Sequence, residues 1–90
     1  MAVVVDPQKE RDRIVWATGN YAAVAQLLVE PAHRLIDRAG IARDMAVLDV
    51  ATGTGNVAIP AAKRGASVVG LDLTPHMIDK ARARARAAGV

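Results

Sequence analysis

The chain has no cysteine and no phenylalanine, and only one tryptophan and one tyrosine in 90 residues. Without cysteine there can be no disulfide and no thiolate-held metal. The two histidines, His33 and His76, lack metal-ligand spacing, so no metal site is expected. With so few aromatics, the apolar content rests heavily on alanine, with 19 residues, and any core should be thin. No apolar run approaches the ~18 residues of a membrane-spanning helix. Met1–Val5 is apolar, but Asp6, Lys9, Glu10, Arg11 and Asp12 follow at once, which is not a signal-peptide pattern. A soluble cytoplasmic protein is the expectation. There is no internal repeat and no low-complexity linker.

Hydrophobic residues make up 52% of the chain, which argues for a globular fold and against disorder. Ninety residues allow one domain at most, burying only about 60–65% of the unfolded surface. The pI near 10.0 suggests nucleic acid, so the placement of charge matters. Residues 1–75 hold eight Lys/Arg and eight Asp/Glu, whereas residues 76–90 hold Lys80, Arg82, Arg84 and Arg86 against Asp79. The whole excess of +3 belongs to the last segment, and a nucleic-acid partner is not expected.

Asp6-Pro7 is a helix start, with Asp as N-cap and Pro at the first helical position. A helix should run from Pro7 to Thr18, with Gly19 placed to end it. A second helical pattern begins near Tyr21 and carries Val24, Leu27, Leu28, Leu35 and Ile36. Pro31 inside it predicts a kink or two short helices. Met45–Ala51 reads as a buried strand containing one carboxylate, Asp49. Thr52-Gly-Thr-Gly-Asn56 is a tight loop. Residues 56–64 read as a helix, with Pro60 tolerable only near its first turn. Ser67–Asp72 is a second buried strand. Thr74-Pro75 opens a last helix, in which Met77, Ile78, Ala81, Ala85 and Ala88 share a face opposite Asp79, Arg82 and Arg86. Two apolar strands joined through a helix should be parallel with a right-handed crossover. The fold class is therefore α/β, one βαβ unit of a doubly wound sheet. Two strands are too few for an independently stable sheet.

Gly53-Thr-Gly55-Asn-Val-Ala58 fits G-x-G-x-x-[GA] between a strand and a helix, the form of a cofactor-binding turn. The pattern alone suits dinucleotides and S-adenosylmethionine (SAM) equally, and a ligand-free turn would also satisfy it. Asp72, seventeen residues after Gly55, ends the next strand, where a carboxylate can accept from a ribose 2′,3′-diol. It could instead cap the following helix, although Thr74 is better placed for that. Asp49 precedes Gly53 by four residues. A carboxylate there would repel a pyrophosphate, yet would favour the ammonium and sulfonium of SAM. It could also satisfy amides of its own loop.

At these residues the chain resembles a known family. Val47-Leu-Asp-Val-Ala-Thr-Gly-Thr-Gly-Asn-Val-Ala-Ile59 is similar to the first motif of class I SAM-dependent methyltransferases, D-x-G-x-G-x-G. Val69-Gly-Leu-Asp-Leu-Thr-Pro-His-Met-Ile78 is similar to their second. Ala51 stands where the first glycine is usual, a small replacement that weakens the match little. Trp16-Ala-Thr-Gly-Asn-Tyr21 resembles the leading segment of a subgroup that includes the ubiquinone/menaquinone methyltransferases.

The resemblance implies a Rossmann-like doubly wound sheet, of which this chain holds N-terminal helices (1–44, a cap) and the first βαβα part (45–90). It implies SAM as cofactor and a small-molecule methyl acceptor. Gly53, Thr54 and Gly55 would face the methionine part, Asp49 its amino group, and Asp72 the ribose. Leu73 and Met77 would pack near the adenine, with core packing the alternative for Met77. Ala51, Thr52 and Asn56 complete the loop, and Tyr21 or Trp16 would cap the cofactor or simply anchor the core. No catalytic residue can be named. The later elements of the family are missing, so no methyl transfer is expected from these 90 residues alone, and self-association through the open sheet edge is conceivable. Two alternatives stand beside this reading. One is an NAD(P)-dependent oxidoreductase, against which Asp49 and the long helical lead speak. The other is a non-enzymatic chain that binds nucleic acid or a partner through its Arg-rich last helix.

Overall fold

The computed structural model describes residues 6–19 and 21–90, without the side chains of Tyr21 and Ala22. Helix α1 spans Pro7–Thr18. Its start is the expected one: the Asp6 carboxylate accepts from the Gln8 amide at 2.9 Å, and Pro7 takes the first position, where an N–H is not needed. Its end differs in mechanism. Gly19 stands at the C-cap with extended backbone, φ −83° and ψ 153°, so its left-handed freedom is unused. No residue of α1 is buried.

The stretch containing Pro31 resolves into two helices, α2 (Tyr21–Leu27) and α3 (Val29–Arg38). The break falls at Leu28, three residues before the proline, which puts Pro31 in the first turn of α3. There its missing N–H costs no intrahelical bond. Pro60 has the same position in α4 (Ala58–Lys63), which is why that helix begins later than residue 56. On α3, Ala32 and Ile36 lie four residues apart on one face and are buried, Ile36 completely. Arg64, just past α4, reaches back to the Asp37 carboxylate and donates to the Ile41 carbonyl, tying α3 to α4.

Strands β1 (Ala46–Val50) and β2 (Ser67–Leu71) pair in parallel, from Ala46 opposite Ser67 to Val50 opposite Leu71. With α4 between them, this is the βαβ beginning of a Rossmann-like sheet. Helix α5 (Pro75–Ala88) follows and packs on α4. The core is small, as its composition requires: Ala32, Ile36, Ile59, Ala61, Ala66 and Met77, with Thr74 buried among the polar residues. The Cα radius of gyration is 14.2 Å, against about 12 Å for a compact chain of this length.

One expectation needs correcting. The strands are not buried on both faces. Val47, Asp49, Val68 and Gly70 are half-buried, whereas Leu48, Val50, Val69 and Leu71 on the opposite face are 50–69% exposed. Apolar residues on both faces of a parallel sheet signal helices on both faces, and among the described residues no helix covers the second. Among the described residues no helix is long and apolar enough to cross a membrane.

Candidate cofactor site

The end of β1 and the end of β2 are joined into one structure. The Thr52 amide donates to the Leu71 carbonyl at 2.8 Å, extending the parallel ladder by one bond. One residue further, the Gly53 amide donates to Asp72 Oδ2 at 2.8 Å. The second oxygen, Oδ1, accepts from the Thr74 amide at 2.9 Å. Asp72 thus both holds the glycine loop and fixes the entry to α5. This revises the expected division of labour, because Thr74 occupies the N-cap position but its side chain makes no capping bond. The Asp72 carboxylate instead accepts from the amide of the N-cap residue itself and still has acceptor capacity, since an ionised carboxylate offers about four lone-pair sites.

Asp49 is half-buried on β1 and accepts from Thr52 Oγ1 at 2.7 Å. Of its described partners, the one in its loop is therefore a hydroxyl rather than a backbone amide. Thr52 can sit there because residue 70 is glycine: a Cβ at Gly70 would lie 2.9 Å from Thr52 Cγ2 and 3.0 Å from its Oγ1. Thr52 and Thr54 are each 8% exposed, so the loop turns its threonines inward.

The loop runs through three left-handed residues: Ala51 at φ +59°, Gly53 at +58° and Gly55 at +87°. Nothing lies within 4 Å of where a Gly53 Cβ would be, so this backbone faces open space. Ala51 changes the view of its own substitution. Alanine is small, but in the left-handed region its Cβ crowds the following carbonyl at about 1 kcal/mol or more. A glycine at 51 would be free of that strain.

Above the loop opens a cleft of about 600 Å³, within the range of small-molecule sites. Asp49, Ala51, Thr52, Gly53, Thr54, Asn56, Asp72, Leu73 and Met77 line it. Gly55 is buried beside them and does not line the cleft; its missing Cβ leaves room for Ile59. Met77 is 7% exposed and lines the cleft, so core packing and a place at the site coincide. The side chain of Tyr21 lies outside the described residues. Trp16 does line the cleft. Facing the loop, Val24, Leu28 and Leu35 form the opposite wall. Of the apolar residues that marked this helical stretch, only Ile36 is core.

The sequence reading missed Arg84. Its Nη1 donates to the Thr54 carbonyl at 2.8 Å, to Thr54 Oγ1 at 2.8 Å and to Asn56 Oδ1 at 2.9 Å. The signal was present. At about 100° per residue, Arg82 and Arg86 share a face, whereas Arg84 lies on the other side with the alanines. The alternation Arg-Ala-Arg-Ala-Arg looked like a solvated basic face and concealed one inward cation.

A parallel βαβ beginning, with its glycine loop clasped by the next strand's carboxylate, is the start of a Rossmann-like fold. Residues 47–90 match the family model of the methyltransferase domain, a family of enzymes for which SAM use is implied. The match takes in both motifs and gives no support to the NAD(P) alternative. Among similar proteins, an uncharacterized protein of Mycobacterium tuberculosis is 48% identical over 94 positions, covering 97% of this chain and 34% of that protein. A second uncharacterized protein of the same species is 44% identical, over 87% of this chain and 29% of its own length. A 23S rRNA (uracil(1939)-C(5))-methyltransferase of Shewanella sediminis is 32% identical over 87% of this chain and 18% of its own length. The chain thus spans about a third or less of the relatives it matches.

Proposed function

We propose that the chain is the cofactor-binding opening of a SAM-dependent methyltransferase, with residues 1–44 as a helical cap and 45–90 as the first half of the cofactor domain. The observation that carries this reading is the bond from the Gly53 amide to Asp72, which makes one site of the two motifs. The remaining acceptor sites of Asp72 take the ribose hydroxyls. Asp49, beside the open loop, takes the ammonium of the methionine part through a charge-assisted hydrogen bond. The backbone of Gly53 and Thr54 faces the methionine part, and Leu73 and Met77 pack against the adenine. The cofactor supplies a methyl group on a cationic sulfur. The protein's share is alignment of that methyl with an acceptor.

The acceptor is a small, uncharged, mainly apolar molecule. The cleft's far wall is Trp16, Val24, Leu28 and Leu35, and among the described residues its charged lining side chains are Asp49 and Asp72. An RNA acceptor, as named for the Shewanella relative, needs cations for its phosphates. Among the described residues none that lines the cleft is Lys or Arg, and Arg84 is committed to the loop.

Calorimetric titration with S-adenosylhomocysteine and, separately, with NADH tests the proposal. Binding of S-adenosylhomocysteine at micromolar concentration without NADH binding is the expected result. NADH binding alone would overturn it.

A further inference from the structure

We propose that Arg84 is a positioning residue for the cofactor loop, a brace that fixes the Thr54–Asn56 half before the ligand arrives. The proposal rests on the SAM reading above and deepens it.

The loop has two halves with different anchors. Thr52 and Gly53 are held by β2, through the Leu71 carbonyl and the Asp72 carboxylate. Thr54 and Asn56 are held from the far side, by Arg84 of α5. Between the anchored residues sits Gly55, at φ +87°. Arg84 Nη1 carries two hydrogens for three oxygens at 2.8–2.9 Å, so one N–H is shared. The brace continues outward, because Asn56 Nδ2 donates to the Ala25 carbonyl of α2 at 2.9 Å. Arg84, Asn56 and Ala25 therefore form one line of bonds from the last helix, through the loop, to the helix that bounds the cleft.

Glycine-containing loops lose more conformational freedom on ordering than other segments. A loop already ordered loses less when its ligand binds, and affinity rises accordingly. Arg84 is not itself one of the residues lining the cleft. Its effect passes through Thr54 and Asn56, which border the end of the cleft assigned to the methionine part. The consequence is selective: loosening this half should weaken ligands that carry the amino-acid part and spare those that carry adenosine alone.

The test compares wild type, Arg84→Met and Arg84→Lys in the full 90-residue chain. Both replacements are good helix formers. Two ligands are titrated, S-adenosylhomocysteine and 5′-methylthioadenosine, which lacks the amino-acid part. Amide hydrogen exchange of residues 53–57 is measured without ligand. Loss of charge-assisted bonds predicts a roughly tenfold weaker Kd for S-adenosylhomocysteine in Arg84→Met. The Kd for 5′-methylthioadenosine stays within about twofold, exchange at 53–57 rises about tenfold, and β1 and β2 keep their protection. Arg84→Lys recovers part of the affinity, having a cation but not the planar fork. Equal loss of both ligands would make Arg84 a general stabiliser and overturn the proposal. So would wild-type binding together with unchanged exchange. If wild type binds neither ligand, the SAM reading falls, and the exchange at 53–57 alone decides for or against the brace.

Discussion

The two parts of this molecule are organised on different principles. From β1 onward, the important groups are backbone amides and carboxylates at fixed distances: Gly53 on Asp72, Thr52 on Leu71, Thr74 on Asp72. In helices α1 to α3 the contacts to the rest are sparse. Among the described residues they include the burial of Ala32 and Ile36, the reach of Arg64 to Asp37, and the bond from Asn56 to the Ala25 carbonyl. The apolar side chains Trp16, Val24, Leu28 and Leu35 stand about half exposed along a cleft. Hydrogen-bonded loops specify a ligand by geometry, whereas an apolar wall specifies it by shape and polarity. A cofactor common to a family suits the first, and an acceptor that differs between members suits the second.

Substitutions can break or sharpen this contrast. The largest effect is expected for Asp72→Ala. It removes the proposed ribose acceptor and leaves the Gly53 and Thr74 amides without this partner, at about 1–3 kcal/mol each. S-adenosylhomocysteine affinity should fall by roughly a hundredfold or more, read by calorimetry. Ile36→Ala is next. Emptying a completely buried site should cost about 2–4 kcal/mol in urea unfolding. Any loss of cofactor affinity measured on the folded fraction should be far smaller than for Asp72→Ala. If the two variants weaken binding equally, the division between the two parts is wrong. Gly70→Ala tests whether β2 must make room for Thr52. The added Cβ would meet the base of the Thr52 side chain at 2.9–3.1 Å, costing about 1–3 kcal/mol and disturbing the Thr52–Asp49 bond.

Two smaller effects have opposite signs of interest. Ala51→Gly should stabilise the chain by roughly 0.5–1 kcal/mol. It relieves the left-handed strain at φ +59° but is partly offset by the greater freedom of glycine in the unfolded chain. Leu35→Gln, at a cleft residue 56% exposed, should change stability by less than about 0.5 kcal/mol. It should leave S-adenosylhomocysteine affinity unchanged and reduce uptake of apolar probe molecules.

What was legible in the sequence follows the same division. The βαβ order, the glycine loop and the Asp49 and Asp72 positions could be read directly, because strand period, turn chemistry and capping are local. The entry of α5 was legible only in outline. Thr74 and Asp72 are both plausible caps by spacing, and only three-dimensional proximity to Gly53 lets one carboxylate serve both amides. The strain at Ala51 was hidden because residue size reveals nothing about φ. For Arg84 the side of the helix was legible but the partners were not, because they depend on how α5 is rotated against the loop, a tertiary property. The role of the helical wall was not legible for a related reason. An amphipathic stripe shows which side is apolar, and does not distinguish a core from a cleft.

The central claim is that residues 47–77 form one site around a SAM-type ligand. Amide chemical-shift mapping of the 90-residue chain during titration with S-adenosylhomocysteine tests it most directly. The account predicts the largest shifts at Asp49–Asn56 and at Asp72–Met77, moving together with one affinity. Shifts confined to α5 or to the bare sheet face, with the loop and Asp72 unmoved, would contradict it.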